Sequence, residues 1–180
     1  MRLQPAGGDR LGMLGMIRVL GEATLNLGEY EQARGHFLEA LSLSMVLTGD
    51  GADNAQADAM RWLADVDIRQ GNLARALDYC LASLRQANNI PDYNIIASDL
   101  GLAATVFSRQ GQPERAACLS GASQAMYVRQ QRQPWEDASL DTLLPGWRDR
   151  PDHAAINAAF EAGQALTSEQ AVAYALGGAA

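Results

Sequence analysis

The chain has 180 residues, enough for one domain with its own core, and its hydrophobic share of 48% is that of an ordinary globular protein. A formal net charge of -7, with 14 cationic side chains that are all Arg and scattered singly, argues against a duplex nucleic-acid surface or an anionic membrane surface, because both need clustered cations. No apolar run approaches the roughly 18 residues that span a bilayer, and the opening MRLQPAGGDRLG lacks the apolar centre of a secretion signal, so the expected setting is cytoplasmic. The Arg-only, Ala-rich bias reads as a GC-rich bacterial genome.

Residues 1–9 form a Gly/Pro-containing lead-in. From Arg10 the stripe Leu11, Leu14, Ile17, Leu20 predicts a helix that runs to about Leu27 and closes at Gly28, which takes a left-handed conformation at little steric cost. A second helix is expected from about Tyr30 to Leu47, with Ala33, Phe37, Ala40 and Leu41 on its inner face.

The unit then repeats. Forty-three residues on, Leu63, Ala64, Val66, Ile68, Gly71, Leu73, Ala76, Cys80, Ser83 and Leu84 fall on Leu20, Gly21, Ala23, Leu25, Gly28, Tyr30, Ala33, Phe37, Ala40 and Leu41. A further 40 on, Ala103, Ala104, Val106, Gly111, Ala116, Ser120 and Ser123 continue the series with smaller side chains. Asp9, Asp50 and Asp92 precede the copies as turn or cap residues. Asp53 with Gln56, and Thr167 with Gln170, have capping-box spacing, and Pro113 suits a first helical turn.

Beyond Gln130, Pro134-Trp135-Glu136-Asp137 is expected to open a short helix that stops before the turn Pro145-Gly146-Trp147. Helices over about 153–163 and 168–176 then cover the exposed end of the stack. Trp62 is expected in the core beside Leu63 and Val66, while Trp135 and Trp147 suit either a core or an interface. Asp67 stands where the other copies carry Thr24 and Phe107, so a buried acid there needs a neighbouring Arg.

Small residue, Gly, aromatic, Ala, aromatic, Ala within a helix-turn-helix unit resembles the tetratricopeptide repeat, best over residues 14–47 and 57–88. The family period is about 34 residues, so offsets of 43 and 40 imply longer helices or turns. The segments GQPERAACLSGASQAM (111–126) and FEAGQALTSEQAVAYAL (160–176) resemble the C-terminal repeat regions of bacterial LuxR-type regulators and related signal-transduction ATPases. That resemblance implies a sensor or partner surface belonging to a larger regulator with a nucleotide-binding module and an effector. No such module is visible here, so the chain is expected to be either an excised module or a free-standing relative. The family's Lys- and Asn-based carboxylate clamp has no counterpart in a chain without Lys.

Catalytic, cofactor and metal sites are not indicated. His36 and His153 lie far apart without a paired nucleophile, Cys80 and Cys118 sit in apolar helical stretches as buried free thiols, and no cluster has ligand spacing. Gly7-Gly8 and Gly177-Gly178 lack the Lys and Ser/Thr of a phosphate loop and read as flexible ends. The candidate partner-binding site is a polar stripe on the first helices: Arg18, Glu22 and Asn26 match Arg61, Asp65 and Arg69 at steps of four. The competing reading is of two solvated pairs, Arg18–Glu22 and Arg61–Asp65, worth about 0.3–0.5 kcal/mol each.

The expectation is therefore one domain over residues 1–180: an all-α, right-handed α-solenoid of tetratricopeptide-like helix pairs (about 10–47, 54–88 and 93–131) with a C-terminal helical cap (about 134–176). It implies a non-catalytic protein-interaction or sensing scaffold, a module of a bacterial transcriptional or signalling regulator. Its partner is a protein or peptide, or another domain of the same regulator, with no nucleic acid, membrane or cofactor. A free-standing, self-associating (homodimeric) adaptor is the first alternative, and an enzyme with an unrecognised site the second.

Overall fold

Gly28, Gly71 and Gly111 have φ of 79°, 80° and 73°, and at each the chain reverses between two helices. Each reversal is closed by the same six-residue backbone bond: Glu29 N–H to Thr24 O at 2.9 Å, Asn72 N–H to Asp67 O at 2.8 Å, and Gln112 N–H to Phe107 O at 2.9 Å. This is the Schellman closure, in which a left-handed residue lets the chain return donors to the orphan carbonyls of the helix end. The fold is thus three copies of one reversal.

The computed structural model describes residues 7–47, 50–89, 92–133 and 138–177. The pairs are α1 (Gly7–Asn26) with α2 (Tyr30–Ser44), α3 (Asp50–Arg69) with α4 (Leu73–Asn89), and α5 (Tyr93–Arg109) with α6 (Pro113–Arg129). A short α7 (Leu140–Leu143), a 3-10 turn at Trp147–Asp149, α8 (His153–Ala165) and α9 (Ser168–Ala175) follow. Among the described residues every regular element is helical, and the chain is an all-α solenoid of helix pairs. The longer repeat resides in the helices: α1 and α3 each have 20 residues.

From α1 to α6 each helix packs on its sequence neighbour, so α2 lies between α1 and α3, and α4 between α3 and α5. The first helices α1, α3 and α5 touch one another in turn, whereas the second helices meet at most marginally. The stack therefore curves toward its first helices, which form the inner, concave layer.

The repeat register is visible in the core. Leu25, Ala33, Phe37, Leu63 and Val66 pack together across the first junction, and Ala64, Ile68, Ala76, Cys80, Leu102 and Val106 across the second. Ser83 and Ser123 hold matched places: the hydroxyl of Ser83 donates to Ala57 O at 2.9 Å and that of Ser123 to Ala97 O at 2.7 Å, each tying a second helix to the first helix of its own pair. The first copy carries Ala40 there, 4% exposed and without a hydroxyl to satisfy.

Asp92 caps α5 by accepting from Asn94 N–H (3.0 Å) and Ile95 N–H (3.2 Å), Pro113 opens α6, and Thr167 with Gln170 forms the expected capping box of α9. Other terminal expectations are corrected. α1 starts at Gly7, so Gly7 and Gly8 belong to a helix and Asp9 lies inside it; Asp50 is the first residue of α3. Asp53 is thus inside α3 and forms no box with Gln56; its carboxylate accepts from Gln86 Nε2 at 2.8 Å on α4. Gly177, at φ 96°, follows α9, and Gly178 lies outside the described residues. The expected helix start at 134–137, with Trp135, and residues 1–6 of the lead-in also lie outside them.

The C-terminal helices do more than cover the end. α8 packs on α6 and continues the stack, but α9 turns back and touches α4, α5 and α6, filling the outer groove between two second helices. Trp147 is core, 7% exposed, and donates through Nε1 to Asp141 Oδ1 at 2.8 Å.

Candidate functional site

The six stripe residues all lie on the inner helices α1 and α3, but their partners differ from those expected. Arg18 pairs with Glu22 as anticipated. Arg61 does not pair with Asp65: it binds Asp58 Oδ1 through Nη2 at 2.6 Å and Nε at 3.2 Å. Asp65 is taken by Arg69, at 3.1 and 3.3 Å. Both observed pairs in α3 place the acid N-terminal to the base, the order favoured by the helix dipole. Asn26 is exposed at the last residue of α1.

Asp58, absent from the sequence reading, joins the two helices: its Oδ2 lies 3.8 Å from Arg18 Nε while its Oδ1 holds Arg61. A row Glu22–Arg18–Asp58–Arg61 thus runs across the concave layer. The repeat offset conceals Asp58, because its counterparts are Gly15 and Ser98, but its spacing of three from Arg61 is the signal that could have found it.

Two recesses flank this row. One of about 180 Å³ lies between α1 and α3, with Leu14, Phe37, Ala59 and Trp62 below and Arg18 and Asp58 at its rim. Trp62 forms its aromatic wall, stacked on Phe37 at 5.5 Å and covered by the Arg61 guanidinium at 4.2 Å. Its Nε1 is buried without a hydrogen-bond partner. The other recess, about 320 Å³, lies between α3 and α5 and is lined by Asp65, Arg69, Leu102, Thr105 and Arg109, with Leu143 of α7 at its edge. Arg109, the last residue of α5 as Arg69 is of α3, donates to Ile68 O at 2.6 Å.

Asp99 of α5 lies beneath this layer, 0% exposed, and neither of its carboxylate oxygens has a partner. Burial pushes its carboxyl well above the ordinary range, and the Arg61 charge offsets only part of this. Its counterparts in the other copies are Ala59 and Met16. An acid at a station that is apolar in both other copies is the signal that marks Asp99 in the sequence.

Asp67 is satisfied as expected. It is fully buried, paired with Arg34 of α2, and accepts from Arg75 of α4 at 2.8 and 2.6 Å. This clasp lies in the outer layer, away from the stripe.

Among the described residues, the remaining chemistry-bearing side chains do not converge. Cys80 and Cys118 are buried free thiols, both raised by burial. His36 is on α2, and His153 is exposed at the start of α8 with Nδ1 2.9 Å from Arg150 O. What the concave face offers is paired charges beside one apolar-floored recess and one of mixed lining, which suits recognition of a polypeptide surface.

Residues 55–127, from within α3 to within α6, match the family model described as tetratricopeptide repeat. Repeats of this family generally mediate protein–protein interaction. The curated proteins and the solved structures give no match.

Proposed function

We propose that the chain is a non-catalytic protein-interaction scaffold that holds a polypeptide partner along its concave layer, at Arg18, Glu22, Asn26, Arg61, Asp65 and Arg69. The observation that carries this reading is the Glu22–Arg18–Asp58–Arg61 row between an apolar-floored recess and a second one of mixed polar and apolar lining. An arriving carboxylate or cation can exchange with these partly exposed pairs, while an apolar side chain enters the recess floored by Leu14, Phe37 and Trp62. The match of residues 55–127 to a repeat family of interaction modules supports the same conclusion.

The setting we infer is a bacterial transcriptional or signalling regulator in the cytoplasm, with the partner another protein or another part of that regulator. It rests on the resemblance of segments 111–126 and 160–176 to such regulators. Immunoblotting of the source cells tests it: a product several times larger than 19 kDa is expected, and a band at 19 kDa overturns the regulator setting without touching the scaffold reading.

The scaffold reading is tested by affinity capture with the Arg61→Glu/Arg69→Glu double variant. Loss of a partner that the parent chain captures, with unchanged circular dichroism, is the expected result. Equal capture by the two proteins removes the stripe from the interface.

A further inference from the structure

The face of α1 turned away from α2 and α3 is apolar and open. Met16 is 63% exposed and Val19 and Leu20 are each 55% exposed, around a shallow recess that includes Gly12 and Gly15. Its counterpart one repeat later is closed. The 43-residue offset places Met16, Val19, Leu20 and Ala23 on Ala59, Trp62, Leu63 and Val66. Those four residues of α3 are the ones that receive α2: Leu63 and Val66 share a cluster with Ala33 and Phe37, Ala59 shares one with Ala40, and Trp62 stacks on Phe37. Leu63 and Val66 are fully buried by that contact, whereas Leu20 and Ala23 are exposed.

We propose that this face of α1 is a stacking surface for the second helix of a further helix pair, seated on α1 as α2 is seated on α3. The occupant is defined chemically: an amphipathic helix that presents a small residue, a large apolar or aromatic one, and a small one at the spacing of Ala33, Phe37 and Ala40. Continuity with the α2–α3 interface is the argument, since the receiving surface is the same surface one repeat earlier. A head-to-tail second copy of this chain is not that occupant. α2 and α4 are already held between first helices, and the far side of α6 is covered by α8, whose outer surface carries Asn157, Glu161 and Gln164. This surface lies apart from the concave row, so its test stands or falls separately from the partner-capture experiment.

The register permits a direct test, because α1 begins at Gly7 and α3 at Asp50, the same 43-residue step. The full chain is extended by a duplicate of residues 7–49 placed before Gly7, which brings a copy of α2 onto α1. The expected result is one cooperative unfolding transition with a midpoint about 5 °C or more above that of the parent. Amide exchange in the original α1 should also slow by about tenfold or more, and Phe37→Glu in the added unit should abolish both effects. Separate unfolding of the added unit, or unchanged exchange in α1, overturns the proposal. So does a dimer of the unextended chain in sedimentation equilibrium that Leu20→Glu dissociates, because the face would then belong to a second copy.

Discussion

Asp67 and Phe107 stand at the same station of successive repeats, forty residues apart, and each meets the arginine at the third position of the helix that follows it. Arg75 grips Asp67 with two hydrogen bonds; Arg115 lays its guanidinium over the Phe107 ring at 3.9 Å and donates to Ala175 O of α9 at 3.4 Å. One architectural position thus holds an ion clasp in one repeat and a cation–π contact beneath a helix in the next.

Asp67→Ala leaves Arg34, with a side chain only 13% exposed, beside an emptied carboxylate site. A loss of about 3 kcal/mol is expected, at the lower end for breaking a buried pair because both guanidinium groups keep some access to water. Arg75→Ala removes a half-exposed partner whose charge stays screened by water, and should cost much less. Urea unfolding of the two variants checks the ordering.

Gly163 and Gly121 set the approach of α8 to α6. A Cβ on Gly163 would lie 1.9 Å from Cys118 O, and one on Gly121 would lie 2.1 Å from Phe160 O, both backbone atoms that cannot swing aside. Gly163→Ala should therefore destabilise by about 3 kcal/mol or more, at the severe end of overpacking. Gly35→Ala, mid-helix in α2 with nothing within 4 Å of the new carbon, should stabilise by about 0.5–1 kcal/mol. Thermal melts of the pair should shift in opposite directions.

Asp99 gives the chain a pH-dependent stability. Burial raises its carboxyl pKa in the fold, so between the ordinary carboxylate range and that raised value the folded chain binds more protons than the unfolded one. Its contribution is complete below the ordinary range and is lost as pH rises through the folded value. Asp99→Asn should raise the melting temperature at pH 7–8, by an amount corresponding to about 1–3 kcal/mol. The advantage should shrink toward pH 4, and melts across that interval give the answer.

Cys80 and Cys118 should be silent to thiol reagents in the native state. Both are buried and both pKa values are raised by desolvation, so little thiolate is presented to solvent. Labelling of both under denaturant, with at most slow labelling before it, is expected in a thiol-exchange assay.

The helix pairs were legible because their signals are local. Apolar spacing, a left-handed glycine and a capping residue each act within a turn of chain, and Gly28, Gly71, Gly111, Asp92 and Thr167 all perform as their positions suggested. The site was legible only in part. Steps of four found which residues share the inner face, but which acid each arginine takes depends on the neighbouring helix, and Asp58 reaches Arg18 through the packing of α1 on α3. The start of α3 was misplaced because Asp53 and Gln56 imitate a box that Gln86, thirty residues later, shows to be a helix interior. The route of α9 into the outer groove has no local signature, for it depends on the room left between α4 and α6.

That route gives the superhelix uneven mechanical properties. On the outer side, α4 and α6 are separated by a whole helix, α9, acting as a solid wedge, whereas α2 and α4 are joined by the Arg34–Asp67–Arg75 clasp and by Tyr79 packed against the Ala33–Phe37 cluster. A wedge resists both straightening and further bending; a clasp resists being pulled open and yields more readily when its helices rock about it. The C-terminal block around α9 is accordingly expected to deform less than the N-terminal pair when the ends of the arc are pulled apart.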